Sequence, residues 1–249
     1  MGRKRKGNKV DGWLVIDKPL GMTSTQVVGK CRWVTKAQKI GHGGTLDPLA
    51  SGILPIACGE ATKTIPFIMD ARKIYVFTVT FGESRSTDDA EGEIVATSDH
   101  RPGAADITEV LPEFIGCIQQ TPPAYSAIKI DGKRAYDLAR AGEDFEIKSR
   151  NVDIFDLKML SLDGDQATLQ VTCGKGTYVR SLARDLALRL NTVTEEQATL
   201  LSHGQALSVS GPIESGIVRA MAGERLVALC ETDQNPDMTI LRPVRVFNF

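Results

Sequence analysis

A chain of 249 residues with 42% apolar and 24% charged side chains can bury a sizeable core, in one large domain or a domain and a half. Its apolar runs, such as Ile53 to Ala57 and Tyr75 to Phe77, fall far short of the ~20 residues a membrane helix requires. The basic start (Arg3, Lys4, Arg5, Lys6, Lys9) leads into no apolar signal segment, so a cytoplasmic protein without membrane attachment is expected.

The net charge of −1 argues mildly against a polyanionic partner unless charge is segregated along the chain. It is segregated: bases gather at 3–9 and at Arg32, Lys36 and Lys39, whereas Asp88, Asp89, Glu91 and Glu93 collect elsewhere. Cysteines 31, 58, 117, 173 and 230 are scattered with no CxxC spacing, and histidines 42, 100 and 203 lie far apart. Neither a disulfide framework nor a metal site is expected, and the cysteines read as small buried apolar residues.

In chain order, Trp13 to Asp17 reads as a strand ended by the Lys18-Pro19-Leu20-Gly21 turn. A helix follows, capped by Thr23 or Ser24, with Val27, Val28, Cys31 and Val34 as one buried face. Lys73 to Phe81 is a strand: Tyr75, Phe77, Val79 and Phe81 line one face and Ile74 and Val76 the other, which predicts cover on both sides. Ala167, Leu169, Val171 and Cys173 alternate as another strand. The turn Gly174-Lys175-Gly176 and a Thr177 cap then open a helix to about Leu190, with Val179, Leu182, Ala183 and Leu186 as its stripe. On another face of that helix Arg180 and Arg184 sit four apart, placed to meet a carboxylate or a phosphate. Beyond Leu190 short segments broken by glycine and proline predict a small β-rich domain. Helices and strands intersperse without regular βαβ repetition, so the fold class is α+β.

The stretch Gly41-His42-Gly43-Gly44-Thr45-Leu46-Asp47-Pro48-Leu49-Ala50-Ser51-Gly52 sets three glycines and a histidine ahead of one carboxylate. Such a loop suits a reactive side chain on a backbone that approaches a ligand closely. Asp47 followed by Pro48 also reads as an ordinary helix start, aspartate at N-cap and proline at the first helical position, and locally this second reading is the stronger.

Five ordered motifs alter the balance: Lys18-Pro-Leu-Gly-Met-Thr-Ser24, Gly41 to Gly52, Lys73-Ile-Tyr75, Gln120-Thr-Pro-Pro-Ala-Tyr-Ser-Ala-Ile-Lys129 and Gly174-Lys-Gly-Thr-Tyr-Val-Arg180. Together they resemble the bacterial tRNA pseudouridine-55 synthases, the TruB family. The stretch from Glu195, with His203-Gly-Gln205 and Leu241 to Phe247, is similar to the family's small PUA-like domain. The resemblance implies a flexible basic tail over 1–10, a catalytic domain over 11–190 with a mixed, mainly antiparallel sheet flanked by helices, and a PUA-like RNA-binding domain over 191–249. It also implies isomerisation of uridine 55 in the tRNA T arm by a monomer that needs no cofactor, metal or obligate protein partner.

By the same resemblance Asp47 matches the catalytic aspartate, Tyr75 the tyrosine stacked on the extruded uracil, and Tyr178 a second active-site tyrosine that handles the C5 proton. Arg180 matches the arginine that pairs with the aspartate, and His42 the histidine that fills the space the base vacates. Lys18, Gly43, Gly44 and the Thr23-Ser24 helix start shape the binding site. The match departs after Leu190, where relatives continue with a segment resembling His-Val-x-x-Leu-Arg-Arg and a helix, and this chain runs at once into Thr192-Val-Thr-Glu-Glu196. Gly43 stands where many relatives have threonine, and Arg85-Ser86 where Thr-Asp is common. The missing segment supports an alternative of another class, an RNA-binding tRNA chaperone with weak or no catalysis.

Overall fold

The strand expected at Trp13 to Asp17 forms β1 (Gly12–Lys18) in a computed structural model that describes residues 7–130, 132–143, 145–190, 201, 203, 205–210, 217–222, 225–235 and 238–246. The chain divides into two compact units, 1–72 and 73–249.

In the first unit β1 is followed by α1 (Ser24–Thr35), β2 (Ile40–His42), β3 (Gly52–Cys58) and α2 (Ile65–Asp70). The three strands make an antiparallel sheet in the order β1-β3-β2. Thr23 caps α1 through a full capping box: its hydroxyl accepts from the Gln26 amide and the Gln26 side chain accepts from the Thr23 amide. Val27, Val28 and Cys31 pack into a core with Ile40, Leu54, Ile56 and Cys58. Val34 does not join them and is 70% exposed. It shares Val27's side of the helix but falls in the last turn, where nothing packs over it before Lys36 ends the helix in the left-handed conformation, φ 52°.

The second unit holds β4 (Lys73–Thr80), β5 (Glu83–Arg85), β6 (Ile94–Thr97), α3 (Ala104–Val110), β7 (Gly116–Gln120), β8 (Lys129–Ile130), β9 (Lys133–Arg134) and α4 (Ala135–Ala141). There follow β10 (Arg150–Asp163), β11 (Gln166–Cys173) and α5 (Val179–Leu190), then β12 (Leu207–Ser210), β13 (Ile217–Ala222), β14 (Arg225–Asn235) and β15 (Met238–Val246). One antiparallel sheet runs β4-β11-β10-β7, and the β-rich region expected near the C-terminus forms a second one, β12-β15-β14-β13. Ala167, Leu169, Val171 and Cys173 are fully buried along β11, as their alternation predicts, and Leu182 and Leu186 of α5 join the same core. The four buried Leu and Val side chains among them each contribute roughly 1.5–3 kcal/mol, which anchors α5 on the sheet.

Two sequence expectations are corrected. β4 is covered on one face only: Val79 is buried and Tyr75 and Phe77 pack on the core, but Ile74 and Val76 are 65% and 59% exposed. Their neighbours across the ladder, Thr172 and Gln170, carry polar side chains, as befits a solvated antiparallel face. Of the cysteines, 58, 173 and 230 are buried, but Cys117 on β7 is exposed because its side chain falls on the outer phase of that strand's alternation. Among the described residues no helix is long and apolar enough to cross a membrane. The junction at 191–200, where the sequence departs from its relatives, lies outside the described residues.

Candidate active site

The carboxylate loop of the first unit is fastened immediately on either side of Asp47. On one side, the Ser24 hydroxyl accepts from the Leu46 amide at 3.0 Å and donates to the Leu46 carbonyl at 3.1 Å. On the other, the Pro48 carbonyl accepts from the Gly21 amide at 2.8 Å and from Lys18 Nζ at 3.3 Å. Asp47 is thus pinned by the start of α1 and by the turn leading into it, while its own carbonyl accepts from the Ala50 amide at 3.0 Å. That bond closes a turn with Pro48 at its second position; no helix follows. The helix-cap reading of Asp47-Pro48 is therefore corrected. Proline's fixed φ suits the turn as well as it would suit a helix start, and the glycine at 52 leads straight into β3.

Lys18 is fully buried and its ammonium donates to the carbonyls of Pro19, Met22 and Pro48 at 3.0, 2.7 and 3.3 Å. Burial lowers its pKa below the usual lysine value, and the Asp47 carboxylate pulls the other way. His42, at the end of β2, donates from Nδ1 to the Gly44 carbonyl. Gly43 donates to the Pro55 carbonyl at 2.8 Å, and a Cβ there would meet Ile68 at 3.0 Å and Trp13 at 3.6 Å. The space a threonine side chain would need is thus filled by Ile68 and Trp13 of this chain.

In the second unit, Tyr75 lies half-buried on β4 opposite Val171. Tyr178 immediately precedes α5, and its amide donates to Gln120 Oε1 at 2.8 Å. The Thr177 hydroxyl, expected as the cap, instead donates to the Gly174 carbonyl at 3.2 Å; Gln120, reaching across from β7, satisfies a helix-start amide in its place. The Arg150 guanidinium sits 5.1 Å from the Tyr178 ring centroid and donates to the Gly176 carbonyl at 2.6 Å. Arg150 and Gln120 face each other across β10 and β7, so the two flank Tyr178 from adjacent strands.

Arg180 donates to the carbonyls of Thr87 at 2.9 Å and Tyr125 at 3.1 Å and lies 3.4 Å from the Asp89 carboxylate. Arg184, one turn on, binds Asp88 at 2.8 Å, Asp185 at 2.9 Å and the Thr121 carbonyl at 2.8 Å. Of the two partners their spacing allowed, a carboxylate or a phosphate, each arginine meets at least one carboxylate of this chain. Burial raises the Asp185 pKa, Arg184 lowers it, and Asp88 raises it again. The candidate residues accordingly fall into two groups: Lys18, His42, Gly43, Gly44 and Asp47 in the first unit, and Tyr75, Tyr178 and Arg180 in the second. Gln120, Arg150 and the Thr87-Asp88-Asp89 loop were not singled out by sequence reasoning. Gln120 opens a motif whose order is informative, but nothing in the sequence marks Arg150.

A family model described as TruB family pseudouridylate synthase (N terminal domain) matches residues 32–179. The chain belongs to the TruB family. Among the family's curated members, tRNA pseudouridine synthase B of Rhizobium johnstonii is 59% identical over 189 residues, covering 76% of this chain and 61% of the relative. The enzyme of the same name from Agrobacterium fabrum is 60% identical over 185 residues, covering 74% and 59%, and that of Ruegeria sp. is 60% identical over 191 residues, covering 76% and 63%. The chain spans about three fifths of the length of these curated relatives.

Among solved structures, the chain in a Cbf5-Nop10-Gar1 complex superposes with a TM-score of 0.55 at 23% identity, covering 96% of this chain and 85% of that one. A chain in an H/ACA RNP bound to a substrate RNA containing 2′-deoxyuridine gives 0.52 at 19% identity, covering 100% and 92%. These two likenesses concern the fold, and they agree with an α+β chain of helices and antiparallel sheets.

Proposed function

We propose that the protein isomerises uridine 55 in the T arm of tRNA to pseudouridine, with Asp47 as the catalytic carboxylate. The observation that carries this reading is the double fastening of the chain around Asp47, through Leu46 to Ser24 and through Pro48 to Gly21 and Lys18, and Asp47 lies within the residues the TruB family model matches. A backbone held on both sides of its carboxylate keeps the residue in place while the substrate changes shape, which is what preorganised catalysis requires.

In the reaction the C1′–N1 bond breaks, the uracil turns, and C5 bonds to C1′ while the C5 proton is lost and N1 gains one. The same atoms leave and return, so neither cofactor nor metal is called for. The uridine must first be flipped from its stack. His42 takes the vacated space, Tyr75 stacks on the uracil, Tyr178 handles the C5 proton, and Arg180 is, by the family resemblance, the partner of the aspartate. The four-stranded C-terminal sheet acts as a PUA-like RNA-binding module, and the protein works as a cytoplasmic monomer.

The test is carbodiimide mapping of tRNA after incubation with the protein. Conversion of one T-arm uridine by the wild type, abolished in Asp47→Asn with RNA affinity within a few fold, supports the reading; conversion surviving in that variant removes Asp47 from the chemistry. The aligned region covers only about three fifths of these relatives, which leaves a second reading, an RNA-binding tRNA chaperone with weak or no catalysis. Tight tRNA binding without conversion by the wild type would select it.

A further inference from the structure

No acidic residue occurs between Lys18 and Asp47, although the whole chain carries 31 acidic against 30 basic side chains. That stretch contains α1 and the turn leaving it, and its bases Lys30, Arg32, Lys36 and Lys39 are all exposed. None of the four enters an ion pair among the described residues. In their midst Trp33 is 81% exposed, more than any other large apolar side chain among the described residues, and Val34 beside it is 70% exposed.

A second observation extends the patch. Asn8 donates from its amide to the Lys36 carbonyl at 2.7 Å, and the Gln38 amide donates to the Asn8 carbonyl at 3.1 Å. The Gln38 side chain donates to the Gly7 carbonyl at 2.8 Å, and that of Asn8 to the Thr35 carbonyl at 3.3 Å. This seam sets the exposed Lys9 at the C-terminal end of α1, and the sequence leading into it is the basic run Arg3 to Lys6.

Bases in the last turn of a helix are favoured by its dipole, which accounts for Arg32 and Lys36. It does not account for an indole left in water, nor for Lys9, Lys30 and Lys39. Uncompensated bases around an exposed aromatic ring are what a single-stranded or looped nucleic acid requires: phosphates for the cations, a base or ribose for the ring. An anionic membrane suits the surface less, because Val27, Val28 and Cys31 of the same helix are committed to the core and leave only Trp33 and Val34 to insert.

We infer that the C-terminal end of α1 is a second RNA contact, in which Lys30, Arg32, Lys36 and Lys39 meet phosphates and an unstacked base or ribose packs on Trp33. The inference rests on the reading of the substrate as RNA. Ser24, which clips the Asp47 loop, opens the helix and Thr35 closes it, so the two ends are about 18 Å apart at 1.5 Å per residue. The contact is therefore to a part of the RNA other than the nucleotide at Asp47.

The experiment uses the full chain labelled with 5-fluorotryptophan, whose two resonances, Trp13 and Trp33, are assigned with Trp33→Phe. A tRNA transcript is titrated in and followed by ¹⁹F NMR. Its dissociation constant is measured against salt for wild type, Trp33→Ala and a Lys30→Gln, Lys36→Gln, Lys39→Gln triple variant. The Trp33 resonance is expected to shift on saturation, Trp33→Ala to weaken binding about 10-fold, and the triple variant to flatten the log–log salt slope by roughly 2. An unmoved Trp33 resonance with unchanged affinity and slope overturns the contact. So does a Trp33 response to vesicles of phosphatidylserine and phosphatidylcholine but not to tRNA, which would assign the patch to a membrane. Conversion of uridine, mapped in the same samples, separates the two claims: lost Trp33 response with conversion intact removes this contact alone, and intact response without conversion counts against the isomerase reading alone.

Discussion

Arg180 holds its guanidinium 3.4 Å from the Asp89 carboxylate, with the two side chains only 13% and 21% exposed, while the same group donates to the Thr87 and Tyr125 carbonyls. Three acceptors from two separate loops fix one planar donor, which an ammonium on a flexible stem does not reproduce. Arg180→Lys is expected to lower stability by about 1.5–3 kcal/mol, the scale of a lost charge-assisted hydrogen bond. Conversion of the tRNA uridine should fall about 10²-fold or more, as when one placed electrostatic donor is removed, with tRNA affinity nearly kept. Urea unfolding and single-turnover kinetics check both; a lysine variant with full rate would show that the fork geometry is dispensable.

The parts of this arrangement legible in the sequence were those encoded locally. The stripe of α5 and the alternation of β11 gave the second unit's core, since period and burial coincide there. β4 misled because Lys73 to Phe81 reads as apolar on both phases, and only the ladder reveals that Ile74 and Val76 lie beside Gln170 and Thr172 on a solvated face. Asp47-Pro48 misled because a turn and a helix start ask for the same pair of residues. Gln120 as the helix-start acceptor for Tyr178, and Arg150 over its ring, arise from the pairing of β7 with β10. Such contacts are set by tertiary register, which no single segment of sequence specifies.

Arg184 neutralises two carboxylates at once, Asp88 at 2.8 Å and Asp185 at 2.9 Å. Burial already raises the Asp185 pKa, with Arg184 opposing and Asp88 reinforcing the rise. Replacing Arg184 by Met takes away the opposing charge, so folded Asp185 holds its proton to a higher pH than the unfolded chain does. The folded state then binds more protons than the unfolded one above the ordinary carboxylate range, and stability falls as pH rises through that window. Arg184→Met should therefore cost about 1–3 kcal/mol at pH 7.5, less than for a fully buried pair because all three groups retain some solvent. The deficit should shrink toward pH 4.5. Urea unfolding of both proteins at the two pH values measures it, and a deficit that is constant or grows on acidification contradicts the assignment.

Lys18 serves the carboxylate loop through its three carbonyl acceptors, of which Pro48 is the neighbour of Asp47. Lys18→Met keeps the apolar stem and removes the donor, leaving those carbonyls short of a partner in a buried place. A loss of about 1–3 kcal/mol is expected for the desolvated acceptors. Because the Gly21 amide and the Ser24 hydroxyl still hold the loop, the variant should fold, and the conversion rate should drop while tRNA affinity changes little. Thermal unfolding with single-turnover conversion distinguishes this from a merely structural lysine, whose removal would lower the midpoint and spare the rate.

His100, after β6, lies beside the end of α5, in a pocket lined also by Phe81, Ala187 and Leu190. Burial lowers its pKa below 6.5 as the largest influence; the Asp106 carboxylate raises it, Arg101 lowers it, and the nearby Leu190 backbone raises it. The sign of the pH dependence follows from the net depression. Above pH 6.5 the ring is neutral whether the chain is folded or not, and its full contribution is present. As pH falls below 6.5 the unfolded chain takes up the proton first, so the unfolded state binds more protons and stability declines until the folded ring also titrates. Wild type should lose more stability than His100→Gln between pH 7.5 and 5.0, because glutamine is polar and of similar length but has no proton to gain. Paired urea denaturation of the two proteins at both pH values gives the difference, in which the other titrating groups cancel. Equal acid sensitivity would mean that the ring is as well solvated in the folded protein as in the unfolded chain.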